Sequence, residues 1–219
     1  MNKKGFEYME LISNALLYFQ KGGFVMYILL LCSLLVISIA IERGRYFANA
    51  DAGRSFAKEF YELMTKHCYV EAVQRVKQKN GILPELLRGA IQLANTNDRT
   101  MSSYMEVQSG IALSHLRCRL YYLNVIVTLA PLLGLLGTIS GMISAFSVFN
   151  LDNGQATAIT GGVGEALIAT AFGLCVAILA LVVHSYFTQR IDNIVTDMEQ
   201  CFSLVEGERA QLAANGAEL

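Results

Sequence analysis

Three long stretches without a charged side chain constrain this sequence more than any other feature. They cover residues 24–41, 124–149 and 166–187, which are 18, 26 and 22 residues long. A helix of about 20 apolar residues crosses the hydrocarbon core of a bilayer and satisfies its own backbone hydrogen bonds there. Helices buried in a soluble core are the alternative, but the chain is 54% hydrophobic and only 16% charged. We therefore predict an all-α membrane protein with three transmembrane helices.

The first stretch could also belong to a cleaved signal peptide. Lys3 and Lys4 precede it, and Ala48-Asn49-Ala50 resembles a cleavage site. However, the apolar run is longer than the apolar region of a signal peptide, and charged residues separate it from the alanines. We interpret the first stretch as a retained span.

The distribution of lysine and arginine predicts the orientation of the spans. Segment 42–122 holds 12 of these residues, segment 150–165 holds none, 188–219 holds two, and the first 23 residues hold three. Because basic loops stay in the cytoplasm, we expect 42–122 and the C-terminus inside and the N-terminus outside. The three basic residues near the N-terminus oppose this orientation, but the large loop outweighs them.

The coarse organisation of the chain follows from these spans and from helical periodicity. We expect one helix from about residue 98 to 149, with Pro131 as its only break signal, and a third span that continues through 188–206. Residues 5–21 have the spacing of an amphipathic helix on the outer interface or of an extension of the first span. The predicted segments are a periplasmic amphipathic helix (1–23), spans at 24–41, 123–149 and 161–187, a cytoplasmic helical domain (42–122), a periplasmic loop (150–160) and a cytoplasmic C-terminal helix (188–219).

Small and polar side chains are confined to one face of the second and third spans. At about 100° per residue, the small and polar residues of the third span lie within an arc of about 140°. They are Glu165, Ala166, Ala169, Thr170, Gly173, Ala177, Ala180 and His184. In the second span, Asn124, Thr128, Pro131 and Thr138 share one face, and Gly134, Gly137 and Gly141 permit close helix approach. Such a face should meet another helix or a cavity, because lipid favours neither small nor polar side chains. Tight packing alone explains any single glycine, and either threonine hydroxyl could bond back to its own helix.

Glu165 is a carboxylate at the outer start of the third span, directly after a glycine-rich segment. An interfacial glutamate near a helix N-terminus is one interpretation, since the helix dipole favours it. A polar group in an ion path is the other, because a carboxylate in hydrocarbon is costly. His184, at the opposite end of the span, is interpreted as an interfacial anchor.

Several classes of function are disfavoured by the sequence. The five cysteines form no CxxC pair, so neither a metal site nor a disulfide framework is predicted, and no cofactor motif occurs. The net charge of −1 does not favour nucleic acid as a partner. Ser140, Glu165 and His184 could be imagined as a catalytic set, but Ser140 and His184 should lie too far apart in the bilayer. We therefore do not expect an enzyme.

Two segments resemble signatures of the MotA/TolQ/ExbB proton channel family. Residues 128–138 (TLAPLLGLLGT) are similar to its second-span signature, and residues 164–174 (GEALIATAFGL) to its third-span signature. Ile41-Glu42-Arg43, followed by Tyr46-Phe47, is similar to the end of its first span. The three-span topology with the N-terminus outside extends the resemblance over nearly the whole chain. Two departures are Ser140, where the family often has Trp, and Leu179, where it often has Pro.

The resemblance implies an ExbB/TolQ-like subunit of the bacterial inner membrane. Such a subunit would form a homopentamer around a central pore that holds an ExbD/TolR-like dimer of single-span chains. Proton flow through the partner's aspartate would drive a TonB- or TolA-like periplasmic transducer, for outer-membrane transport or envelope maintenance. Thr138 and Thr170 would line the proton path, and Glu165 would be a pore-facing carboxylate. Packing around the pore would involve Ala166, Ala169, Gly173, Ala177, Pro131, Gly134 and Gly137.

Two other functions stay open at this point. A flagellar-stator-like subunit belongs to the same family but should carry four spans, whereas three are counted here. A non-conducting membrane scaffold, or a gated solute channel, would need no single-span partner. Because threonine has no usable pKa, Thr138 and Thr170 can only orient water or a partner's carboxyl group, and proton transfer therefore requires that partner.

Overall fold

The computed structural model describes residues 23–95, 98–151 and 156–215, and the regular secondary structure of this part of the chain is α-helical. In chain order the helices are α1 (Gly23–Ala50), α2 (Arg54–Thr65), α3 (Tyr69–Gln78), α4 (Ile82–Gln92), α5 (Asp98–Arg117), α6 (Leu120–Leu151), α7 (Ala156–Gly207) and α8 (Arg209–Asn215). The amphipathic helix predicted at 5–21 and the residues around Asp152 lie outside the described part. Helix α7 begins five residues before the predicted start of the third span, in a segment that contains neither glycine nor proline.

Within the described residues, three helical stretches are long and apolar enough to cross a membrane. They contain the first and third predicted spans, and the second predicted span as far as Ser147. In their most apolar windows only 22–33% of the residues are buried inside the chain. Lipid or further protein chains would have to cover the remaining apolar surface, as expected for a membrane protein.

The chain divides into two compact units. The apolar unit comprises 23–40 and 121–184, and the only charged residues in its sequence are Asp152 and Glu165. Its core joins α1, α6 and α7 through small and branched side chains, as expected for close helix packing in a bilayer. The buried residues of this core are Val25, Met26, Leu29, Cys32, Val36, Leu123, Ile126, Ala130, Ala169, Val176, Ala177 and Ala180.

The charged unit comprises 41–120 and 185–215 and packs short amphipathic helices against the later part of α7. Arginine side chains cap three of its helix C-termini, where backbone carbonyls lack hydrogen-bond donors from their own helix. Arg88 bonds the carbonyls of Val76 and Lys79 at 3.1 and 2.7 Å, at the end of α3. Arg209 bonds the carbonyl of Ala94, just after α4, at 2.8 Å.

The third capping arginine is Arg43. Among the residues that the structure describes, it is the charged residue whose side chain is buried. It donates to the carbonyl of His115 in the last turn of α5 at 3.1 Å, and to Glu42 at 2.7 and 2.9 Å. Arg119 contacts the same Glu42 at 3.1 Å. A buried guanidinium needs this complement of acceptors, because leaving it unpaired would be costly. The charged Glu42-Arg43 pair directly after the first span was noted in the sequence, but its capping role was not predicted.

The prediction of one helix from about residue 98 to 149 is wrong. Helix α5 ends at Arg117 and α6 begins at Leu120, with Arg119 at a φ of 68°. A left-handed conformation is unfavourable for a residue with a β-carbon, so surrounding contacts must stabilise it. The Arg119–Glu42 ion pair is one such contact. Pro131, the predicted break signal, lies inside the continuous helix α6.

Cys201 offers a simple test of the packing of the charged unit. Its side chain is buried, and burial, with a smaller effect from Asp197, raises the pKa of its thiol to about 12. At about pH 8 only about one such thiol in ten thousand would be the reactive thiolate. We expect iodoacetamide to modify the partly exposed Cys68 in the folded protein and to leave Cys201 intact, as measured by peptide mass spectrometry. Both cysteines should react after denaturation; equal rates in the folded protein would contradict this packing.

Candidate functional site in the α6–α7 helix pair

The arc of small residues predicted on the third span is the buried face of α7. Ala166, Ala169, Gly173, Ala177 and Ala180 are all buried. Larger side chains such as Leu167, Ile178 and Val182 lie on the opposite, exposed face. The prediction that the small face meets another helix is confirmed, and the helices it meets are α1 and α6 of the same chain. Contact between this arc and the axis of an oligomer stays a prediction.

Glycines bring the backbones of α6 and α7 close together. A methyl group at Gly173 would lie 2.6 Å from the carbonyl oxygen of Ala130, and one at Gly134 would lie 3.0 Å from the Cα atom of Thr170. Along the same interface, a methyl group at Gly137 would lie 2.6 Å from the Cβ atom of Ala169. Only glycine fits these positions without movement of a neighbouring helix, because the nearest atoms are backbone or Cβ atoms.

Thr170 uses this close approach to form a hydrogen bond between the two helices. Its hydroxyl donates to the carbonyl oxygen of Gly134 at 2.9 Å. The sequence suggested that this hydroxyl could bond within its own helix, but the glycine at position 134 allows it to reach α6 instead. The acceptor carbonyl was missed in the sequence analysis, and a glycine four residues before Thr138 was its only signal.

Thr138 lies one helical turn beyond Gly134 on α6 and is partly exposed. Its hydroxyl donates to the carbonyl of Leu135 in its own helix at 2.6 Å, the alternative that the sequence left open. The two threonines therefore mark one flank of the α6–α7 pair, about one turn apart. Pro131 lies on the same flank of α6 and is partly buried.

Two other predicted polar residues belong to α7. The backbone of Glu165 is helical, but its side chain lies outside the described part of the structure. His184 is partly buried at the end of the apolar unit. No group of three or more metal-ligating side chains occurs among the residues that the structure describes.

The hydrogen bonds define what the two hydroxyls can do chemically. A hydroxyl has one donor and two acceptor positions, and both donors point at backbone carbonyls. In this arrangement Thr138 and Thr170 can accept hydrogen bonds from water or from a protonated carboxyl group. To donate to a carboxylate, each hydroxyl would have to rotate away from its carbonyl. The flank can orient a proton carrier but cannot itself take up a proton.

Comparison with known proteins identifies the family of this chain. Residues 78–200 match the MotA/TolQ/ExbB proton channel family, and this region contains α6 and most of α7. The chain is 34% identical over 177 residues to the biopolymer transport protein ExbB-like 1 of Synechocystis sp., covering 75% of this chain and 67% of that protein. It is 27% identical over 183 residues to an ExbB homologue of Methanothermobacter thermautotrophicus, covering 83% of this chain and 65% of that protein.

The Tol-Pal system protein TolQ of Haemophilus influenzae is 27% identical over 198 residues, covering 79% of this chain and 82% of TolQ. The matches span about two thirds of the ExbB-like 1 protein and slightly less of the archaeal homologue's length. The chain belongs to the MotA/TolQ/ExbB proton channel family. It is an ExbB/TolQ-like membrane protein of a family that acts in energy transduction.

Proposed function

We propose that this chain is the proton-channel subunit of a motor that converts proton-motive force into mechanical work. Several copies, five by resemblance, would surround an ExbD/TolR-like dimer of single-span chains. The dimer would supply the titratable carboxyl group, and a TonB- or TolA-like transducer would receive the work. The observation that carries this proposal is the Thr138–Thr170 flank, which can orient a proton carrier but contains no proton-accepting side chain of its own.

The composition of the apolar unit supports the need for a partner. Asp152 and Glu165 are its only charged residues, and Asp152 is predicted to lie in the loop outside the membrane. Glu165 would be a pore-facing carboxylate near the outer surface. A continuous proton path from Glu165 to the opposite end of the third span, where His184 lies, therefore requires water and a further titratable group between these two residues. A partner helix with a membrane aspartate meets that requirement.

The proposed orientation follows from the basic residues. The charged unit, which holds 42–120, would lie in the cytoplasm with the C-terminal helix, and the N-terminus and the loop near Asp152 would lie in the periplasm. The membrane would be the bacterial inner membrane. The small residues of α7 would contribute indirectly, because they hold α6 and α7 close enough for Thr138 and Thr170 to share a flank.

Purification from native membranes through a tag on this chain tests the proposal. We expect an oligomer that retains a small protein with one N-terminal span and an aspartate in that span. Proteoliposomes of this complex should take up protons when a potassium gradient and valinomycin impose a membrane potential. Repeated purification without such a protein, together with tight liposomes, would contradict the proposal and support a non-conducting scaffold.

A further inference from the structure

We propose that the α6 face carrying Asn124 and Thr128 is a water-lined track that carries protons between the Thr138–Thr170 flank and the charged-unit end of the span. This inference rests on the proposed function. It gives a role to Asn124, which lies outside the signature segment 128–138, and to Thr128 within that segment, and it adds a direction for proton movement. The track is defined as the α6 face of Asn124, Thr128, Pro131, Leu135 and Thr138.

The spacing of these residues aligns them along one side of the helix. Successive members are three or four residues apart, so they fall within an arc of about 80°. The distance from Asn124 to Thr138 along the helix axis is about 21 Å at 1.5 Å per residue. This is most of the thickness of a bilayer core. The face is open in the single chain, since Asn124 and Thr128 are exposed and Leu135 is 54% exposed.

The polar groups on this face are unsuited to hydrocarbon. The side-chain amide of Asn124 is exposed, so its donors and its acceptor need water or another polar partner. Thr128 donates to the carbonyl of Val125 at 2.9 Å, which leaves its acceptor positions open. Exposing such groups to lipid costs free energy that water would recover.

Pro131 adds a backbone acceptor to the same face. A proline has no N–H, so the carbonyl of Val127 loses the donor that would bond it in a regular helix. Val127 lies at the edge of the track, one turn before Pro131. An amide, a released carbonyl and a hydroxyl thus lie within about 6 Å along the helix axis, and water molecules would have to fill the remaining distance of about 15 Å from Thr128 to Thr138.

The polarity of this face is asymmetric about Thr138. Beyond Thr138, towards the C-terminal end of α6, the next residues on the face are Met142 and Phe146, which are 40% and 56% exposed. Among the described side chains of this face, polar groups therefore occur only from Thr138 towards Asn124. Since that end of α6 adjoins the basic segment in the sequence, the track would be the cytoplasmic exit, and other groups would line the entrance.

Cysteine accessibility tests the track without relying on proton flux. Leu135→Cys and Leu136→Cys are a matched pair, because both leucines are apolar, neighbouring and about equally exposed, at 54% and 50%. They face directions about 100° apart, and only Leu135 is on the track. We expect a membrane-impermeant methanethiosulfonate, applied from the cytoplasmic side of inverted vesicles, to label Leu135→Cys at least about tenfold faster, because thiolates form in water and not in lipid.

Peptide mass spectrometry reads the labelling of each site, so the native cysteines can stay in place. Equal labelling of the two positions, or faster labelling of Leu136→Cys, would overturn the track. The outcome is separate from that of the proposed function, because thiol labelling requires only water. Labelling at Leu135→Cys without proton uptake would refute the channel, whereas proton uptake without this labelling would refute the track.

A second readout connects the track with transport. The double variant Asn124→Leu, Thr128→Val should lower proton uptake by proteoliposomes severalfold, since it removes two groups that hold water. Ser140→Ala is the control, because Ser140 is exposed on α6 about 160° from Asn124. An equal loss in the control, or no loss in the double variant, would contradict the proposed track.

Discussion

Replacing Gly173 by alanine is expected to separate α6 from α7 and to destabilise the apolar unit. The new methyl group would lie 2.6 Å from the carbonyl oxygen of Ala130 and 3.0 Å from the Cα atom of Gly134. Both are backbone atoms, so no side-chain rotation can relieve the overlap. Overpacking of this kind typically costs about 1–3 kcal/mol, which exceeds the gain of up to about 1 kcal/mol from the higher helix propensity of alanine.

The same substitution at Gly164 is the matched control. Gly164 lies on α7 as well, but a methyl group there would have no neighbouring atom within 4 Å in the described structure. Unfolding in detergent, followed by helical circular dichroism during titration with sodium dodecyl sulfate, compares the two variants with the parent protein. We expect Gly173→Ala to unfold at lower detergent fractions and Gly164→Ala to match or exceed the parent. Equal stability of both variants would show that α6 and α7 do not pack as described.

The helix pair was largely predictable because membrane helices obey a simple rule. Lipid rewards large apolar side chains, so a face of alanine and glycine indicates contact with protein. The arc on the third span therefore predicted the buried face of α7, which is now seen to contain Ala169 and Gly173. The sequence could not show which helix would cover the arc, because glycines in either a neighbouring copy or the same chain would serve.

The break between α5 and α6 could not be predicted for a different reason. Neither Cys118 nor Arg119 is a residue that interrupts helices, and local propensity favours a continuous helix there. The break is held by contacts distant in sequence, in which Glu42 pairs with Arg119 and Arg43 caps α5. Local sequence patterns carry no information about such contacts. The same limit applied to Thr170, whose hydrogen-bond acceptor is 36 residues away.

Replacing Thr170 by valine should strongly reduce proton transport while the protein stays folded. Valine keeps the shape of threonine but removes the hydroxyl that donates to the Gly134 carbonyl. Losing one hydrogen bond between membrane helices costs about 0.6 kcal/mol on average, and Gly134 keeps its place in the helical ladder. The loss of a group that orients the proton carrier has a larger effect, and we expect proton uptake by proteoliposomes of the complex to fall by about tenfold or more.

Thr170→Ser separates the role of the hydroxyl from that of the methyl group. Serine can make the same hydrogen bond to Gly134, so it should retain most of the proton uptake, although it loses some packing. The stability of each variant should be measured by the same detergent titration, where Thr170→Val should change far less than Gly173→Ala. Normal uptake by Thr170→Val would remove Thr170 from the proton path. If the valine and serine variants lose proton uptake equally, the hydroxyl has no effect of its own. The methyl group of Thr170 and its packing would then be what proton transport requires.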